Sequence, residues 1–239
     1  MDKTLMFTVA INGYQRIFSE NIESHKRYAQ LQGFDYQTVA RPNKQSPSVA
    51  AWLKVVLVSE ALKHGYDWVF FIDADCYIKE QAPSIHSLYT PDKSIYVAKG
   101  FSGNFNSGVL IVRNTQMAKL FFRTLLLNCE RNVAGQDWGE NGHFIFYSRF
   151  CKEIQTIAVE WNNNRDPKLQ DYIRHYCGDT PMRKLYQFSW DAKVCLWWRY
   201  FRNRLQRRLL KLTAPVKPNL KKDLHSALLS CKAYYTVFQ

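Results

Sequence analysis

Apolar residues recur along this chain with two periods, and the switches between them mark out its elements. Leu5–Ile11 (LMFTVAI) is an apolar run of strand length, broken only by Thr8, that stops at the turn pair Asn12-Gly13. Asn21–Gln32 has helical spacing and ends at Gly33, a residue suited to a C-cap, and Tyr36–Ala40 reads as a second strand. After the polar loop Arg41–Pro47, apolar positions at Leu53, Val56, Leu57, Ala61 and Leu62 predict a helix over Val49–His64, closed by Gly65. Trp68–Ile72 (WVFFI) then reads as a strand buried on both faces, the kind found in parallel sheets. Strand, helix, strand, helix, strand in this order predicts a parallel sheet with right-handed crossovers.

Further along, Ile95–Ala98 and Val109–Val112 predict short strands on either side of the loop Gly100–Gly108. The glycines of that loop let backbone approach a ligand closely; a plain hairpin loop accounts for the same composition. Thr115–Leu127 reads as a helix capped by Thr115 or Asn114, Gly135–Gly142 leads into another apolar segment, and Ile154–Val159 reads as a further strand. The chain contains no internal repeat.

At 239 residues, with 46% hydrophobic and 15% aromatic residues, the chain is long and apolar enough to bury a sizeable core, which excludes a disordered protein. It has no apolar run near the roughly 18 residues of a membrane span and no basic stretch followed by an apolar signal core, so a cytoplasmic location is expected. Six cysteines without a Cys-x-x-Cys pair argue against a zinc ribbon or disulfide framework and for reduced thiols. Charge divides the chain: from Ser189 to Gln239 eleven Lys or Arg stand against Asp191 and Asp223, placing +9 of the net +13 in the last fifth. The reading is therefore a catalytic domain over residues 1–188 and a basic helical segment over 189–239.

The chemistry concentrates directly after Trp68–Ile72, in Asp73-Ala-Asp75. Residues i and i+2 of an extended chain share a side, so both carboxylates can converge on one point beyond the sheet edge, where open α/β folds bind ligands. Two anions held that close favour either a proton or a bound cation, and an oxygen-rich site of this kind suits Mg²⁺ or Mn²⁺. An Asp-rich turn capping backbone amides is the structural alternative.

Four stretches in order, Trp52-Leu-Lys54, Phe71-Ile-Asp-Ala-Asp75, Phe105-Asn-Ser-Gly-Val109 and Ile173-Arg-His-Tyr-Cys-Gly178, resemble the nucleotide-sugar glycosyltransferases of the GT-A fold, in pattern the retaining families 8 and 34. The resemblance implies an α/β, Rossmann-like, mostly parallel sheet flanked by helices. It implies that Asp73, Asp75 and His175 hold Mn²⁺ or Mg²⁺ against the diphosphate of a nucleotide sugar, with a UDP-sugar the expected donor. Asn12 and Tyr14 fall where similar enzymes hold the nucleoside, although a simple turn explains them equally. Asn106 matches a residue touching the donor sugar or diphosphate, and Lys54 is a further donor contact or a solvated helix residue. The pattern has a Lys three residues past the glycine of His-x-x-Gly, but this chain has Pro181, so Arg183 or Lys184 would substitute. Gln136-Asp137 resembles the stretch lining the reaction centre: in a retaining enzyme a side chain there faces the reactive carbon, and in an inverting one Asp137 or Glu140 would deprotonate the acceptor. Trp138 and Trp161–Asn164 suit an acceptor platform or the core.

In Ser189–Leu212, Val194, Trp197, Trp198, Phe201, Leu205, Leu209 and Leu212 form an apolar stripe flanked by Arg202, Arg204, Arg207, Arg208 and Lys211. That composition fits a peripheral helix on the anionic inner face of a membrane, consistent with a lipid-linked acceptor, or a stripe packed on its own domain. No nucleic-acid module accompanies the charge, so no nucleic-acid partner is expected. The expected function is metal-dependent sugar transfer to a glycan or lipid-linked acceptor. The competing readings are a haloacid-dehalogenase-like phosphatase with Asp73 as nucleophile, disfavoured by Tyr77 two residues after Asp75, and a non-catalytic basic binding module.

Overall fold

A computed structural model of the chain describes residues 2–178, 180–198, 201 and 219–239. Strand β1 (Thr4–Val9) leads through the short turn α1 (Tyr14–Ile17) into α2 (Ser19–Gln32). Gly33 closes α2 at φ 70°, a left-handed conformation that suits glycine, and its amide bonds back to Ala29 and Gln30. Strand β2 (Asp35–Val39) pairs parallel to one side of β1, helix α3 (Pro47–Ala61) crosses back, and β3 (Trp68–Ile72) pairs parallel to the other side. Ser46 starts α3 by accepting the Val49 amide, with Pro47 in the first turn where its missing N–H costs nothing.

The remaining elements are β4 (Cys76–Ile78), β5 (Ile95–Ala98), β6 (Val109–Arg113), α4 (Gln116–Leu127), α5 (Glu140–Ser148), β7 (Ile154–Ile157), β8 (Ile173–His175), α6 (Pro181–Leu185), a helical stretch α7 (190–198) and α8 (Leu220–Tyr234). The main sheet has the order β2-β1-β3-β6-β5-β7. Five of its strands run in one direction, and β6 is antiparallel to both neighbours, β3 and β5. The parallel pairing read for the first three strands and the mostly parallel sheet implied by the resemblance are both observed, with β6 as the reversed strand. A strand buried on both faces looks the same in sequence whichever way it runs. The short 99–108 loop can join antiparallel neighbours, whereas a parallel pair needs a crossover of a dozen residues or more.

Alternation along the central strands sends Leu5, Phe7, Val69 and Phe71 into a core shared with α3 and α4. Met6, Phe70 and Ile72 face the opposite core, beneath Tyr28 and Ala29 of α2. The C-terminal residues join the first of these cores. Leu224, Ala227 and Cys231 of α8 are buried in it, Phe238 packs edge-on to Phe7 at 5.4 Å, and the Tyr235 hydroxyl accepts the amides of Ala40 and Arg41. Arg202, Arg204, Arg207, Arg208 and Lys211, on which the amphipathic reading of the tail depends, lie outside the described residues. The second sheet is small: β4 pairs antiparallel with β8, setting Cys76 opposite His175. This two-stranded ribbon, just past the end of β3, brings the site together.

Candidate metal and donor site

Asp73 is the first residue after β3, and its amide donates to the Gly108 carbonyl at 2.7 Å, anchoring it to the loop before β6. Asp75 precedes β4, and its carbonyl accepts the Tyr176 amide at 2.9 Å, beside His175. The structure thus brings the two carboxylates and the imidazole together from positions a hundred residues apart. His175 Nε2 lies 3.2 Å from Asp75 Oδ1 and 3.9 Å from Asp73 Oδ2. The imidazole is buried, while Asp73 and Asp75 keep an open side.

The ring orientation follows from Asn162. Its amide nitrogen donates to the carbonyl and Oδ1 of Asn106, at 3.0 and 3.1 Å, so its Oδ1 must face His175 Nδ1, 2.8 Å away. Nδ1 therefore carries a proton, and Nε2 is left buried, without a hydrogen bond and turned toward the carboxylates. Gly108 closes the rear of this cradle: a Cβ there would meet His175 Cε1 at 2.2 Å, Asp73 Oδ2 at 2.8 Å and Asn106 Oδ1 at 2.9 Å. The arrangement fits a hard divalent cation bound by two carboxylates and one imidazole. Cys76 also lies near Asp75 and His175. Burial pushes its thiol up to about 12, and the sulfur faces the Gly108 carbonyl at 3.9 Å, so it stays a protonated packing group.

The electrostatics show a site short of positive charge. Burial pushes the Asp73 carboxyl up to about 6, with Asp75 and Glu140 adding to the rise, although Lys54 and His175 oppose it. Asp75 stays below the usual carboxylate range despite its burial, because His175 and then Arg183 favour its charge. Burial also opposes charge on His175, yet the Asp75 carboxylate beside Nε2 holds it well above its ordinary value.

The other candidate residues fall in three places. Asn106 and Lys54 sit beside the carboxylates but are engaged. Asn106 Oδ1 accepts the Gly108 amide at 3.0 Å, and the buried Lys54 Nζ is 2.8 Å from Glu140 Oε1 and 3.8 Å from Asp73 Oδ2. On α6, the exposed Lys184 is not among the contacts of the carboxylates. Arg183 is: its guanidinium stacks on Phe18 and Phe188, donates to the Tyr176 carbonyl at 3.1 Å and comes within 4.0 Å of Asp75 Oδ2. Asn12 spends its amide on the Gln45 backbone, accepting at 3.0 Å and donating at 2.9 Å, and Tyr14 packs on Phe18. Gln136 and Asp137 form a turn before α5, where Asp137 is exposed and Glu140 is buried against Lys54. Trp138 is half exposed, beside a cavity of about 190 Å³ lined also by Asn104, Ile145 and Arg149. Trp161 is buried in the core beneath Tyr172, so it cannot serve as a sugar platform. Sequence reasoning missed the roles of Asn162 and Asn141; the run Asn162-Asn-Asn164 was the visible signal for the first.

No known family profile matches the chain, and no curated protein matches its sequence. Its fold, however, is shared with solved structures. A glycosyltransferase involved in glycosylation of the major capsid of PBCV-1 superposes over 81% of this chain and 98% of its own, with a TM-score of 0.62 at 12% identity. The glycosyltransferase GlyE of Streptococcus pneumoniae TIGR4 covers 95% of this chain with a TM-score of 0.54 at 14% identity. The chain spans 63% of the length of GlyE. The fold is GT-A-like, as the sequence resemblance implied.

Proposed function

We propose that the protein is a metal-dependent glycosyltransferase that moves a sugar from a nucleoside-diphosphate donor, a UDP-sugar by expectation, to a glycan or lipid-linked acceptor. The observation that carries this reading is the buried, unpartnered Nε2 of His175, aimed at Asp73 and Asp75 in a fold shared with glycosyltransferases. Mn²⁺ or Mg²⁺ held by Asp73, Asp75 and His175 would offset the charge that develops on the departing diphosphate.

The chain's own residues supply the rest. Arg183, fixed between two rings beside Asp75, brings a permanent cation toward the diphosphate side of the site, the role the family pattern gives to a Lys. Lys184, on the same helix, is a second cation open to solvent. By the resemblance, Asn106, which orders the loop before β6, would face the donor sugar, and Asn12 and Tyr14 past the end of β1 would hold the nucleoside. By the resemblance, Gln136 and Asp137 belong to the reaction centre, where the exposed Asp137 would be the acceptor's base if the reaction inverts. Trp138 offers a ring face to the acceptor sugar beside its cavity. The exposed rings of α7, with the cations that follow them in sequence, would hold the protein at an anionic membrane surface.

Asp75→Asn tests the reading. The variant should fold normally and lose Mn²⁺-dependent donor binding in calorimetry. Unchanged donor affinity would reject the metal site.

A further inference from the structure

Ser107, between Asn106 and Gly108, has all three of its polar groups held from elsewhere. Its amide donates to Asn141 Oδ1 at 2.8 Å, its carbonyl accepts Lys54 Nζ at 3.3 Å, and its hydroxyl donates to Glu140 Oε1 at 3.4 Å. Asn141 also donates to the Phe105 carbonyl at 3.1 Å. The first turn of α5 and one lysine of α3 therefore clamp the loop that forms the rear of the metal cradle. Within that clamp the Lys54 ammonium stands between two carboxylates. It is nearer Glu140, at 2.8 Å, than Asp73, at 3.8 Å, and both Lys54 and Glu140 are more than nine-tenths buried.

We propose that Lys54 and Glu140 are a positioning pair for the metal site: Glu140 holds the Lys54 ammonium back from Asp73, leaving the Asp73 carboxylate available to a divalent cation. This inference rests on the metal-site reading above. It assigns Lys54 and Glu140 to an internal ion pair instead of to the donor sugar and the acceptor base. The physical reason is competition. A buried ammonium with no other partner would close on the nearest carboxylate, because an uncompensated charge in the interior is costly. Asp73 is that nearest carboxylate once Glu140 loses its charge. Lys54 would then occupy Asp73 with a cation of its own and repel a metal ion from the site.

The pair predicts a pattern in which two changes are better than one. Glu140→Gln keeps the shape and an acceptor oxygen for Ser107, but frees Lys54. Its Mn²⁺ affinity, measured by calorimetry without donor or acceptor, should fall about 10- to 100-fold. Adding Lys54→Met removes the competing ammonium, so the double variant should bind Mn²⁺ within a few-fold of the wild type. A purely structural role would make the double variant equal to or worse than Glu140→Gln. Thermal unfolding of each variant separates loss of fold from loss of affinity. If Glu140→Gln does not fold, Glu140→Asp, which keeps the charge on a shorter arm, should show a smaller loss that Lys54→Met again reverses. Wild-type Mn²⁺ binding with no loss in the Glu140 variant, or no recovery in the double variant, would overturn the proposal while leaving the metal site in place. Absence of Mn²⁺ and Mg²⁺ binding by the wild type would overturn both.

Discussion

Gly108 approaches His175 so closely that a methyl group on its Cα would stand 2.2 Å from the imidazole Cε1. The restriction is one of space: Gly108 is not among the glycines with positive φ, so alanine would be acceptable to its backbone. Gly108→Ala should displace His175 or push β6 away from Asp73. We expect a loss of about 1–3 kcal/mol in stability, typical of overpacking, together with a Mn²⁺ affinity lowered by at least tenfold. Denaturant unfolding and calorimetry would measure the two effects, and an alanine variant with wild-type metal affinity would contradict the cradle geometry.

Asn162 is the only side chain that bonds to His175 Nδ1 among the described contacts, and the same amide ties down Asn106. Replacing it with alanine frees the ring to rotate and to change tautomer. The expected result is a 10- to 100-fold weaker Mn²⁺ site with a modest change in melting temperature. Asn162→Asp should be less damaging for Nδ1, because a carboxylate still accepts from it, but it forfeits the donor to Asn106. Metal titrations of both variants, compared at one pH, would rank them.

The difference in how Asp73 and Asn162 could be found is a difference in physical signal. Asp73 and Asp75 sit at the end of five consecutive buried residues, so burial itself points to the strand and the strand to its terminus. Thr115 and Gly33 were legible as caps for a similarly local reason: each satisfies backbone groups of the adjoining helix. The reversal of β6 was not legible, because alternation and apolar content carry no direction. The three-residue strands β4 and β8 are too short for any period, yet their pairing sets Cys76 against His175 and thereby builds the site. Lys54 and Glu140 are separated by 86 positions along the chain, and nothing local to either marks the other as its partner. Read singly, each looked like a group free to act on substrate.

Glu60 makes the docking of the C-terminal helix sensitive to acid. Its carboxylate on α3 meets Lys232 of α8 at 2.6 Å, Lys63 at 2.9 Å and His64 at 3.2 Å. Burial opposes its charge, but Lys232, Lys63 and His64 bring the carboxyl from 4.5 down to about 2. A folded-state value below the unfolded one means stability that is present above about pH 4.5 and lost as pH falls toward 2. Allowing for the exposure of Lys63, the contribution is on the order of 2 kcal/mol. Glu60→Gln should therefore be less stable than wild type at pH 7, with the gap closing by about pH 2. Chemical denaturation across that range checks it, and a gap independent of pH would show that the ion pairs contribute nothing net.

The exposed rings of the C-terminal segment lead to the last prediction. Trp190, Trp197, Trp198 and Phe201 are each more than half exposed, and Trp197 packs on Trp198 at 5.2 Å and stacks on Phe201 at 5.9 Å, so these last three form an exposed apolar cluster. Lys193, Arg199, Arg202, Arg204, Arg207, Arg208 and Lys211 fall within the same stretch of sequence. Tryptophan beside Lys and Arg is the composition of a segment that inserts shallowly at a lipid interface, where each nearby cation adds on the order of 1 kcal/mol of attraction to anionic headgroups, a contribution that salt screens. Among the described residues no helix is long and apolar enough to cross a membrane. The protein should pellet with anionic vesicles at low salt and far less at high salt. Replacing Arg204, Arg207 and Arg208 with Gln should weaken anionic-vesicle binding selectively, because only the electrostatic part is removed. Replacing Trp197 and Trp198 with Ala should weaken what binding remains at high salt, because that part rests on the rings. Mn²⁺ affinity should be unchanged in both sets. Equal pelleting with neutral and anionic vesicles, or none with either, would reject membrane attachment.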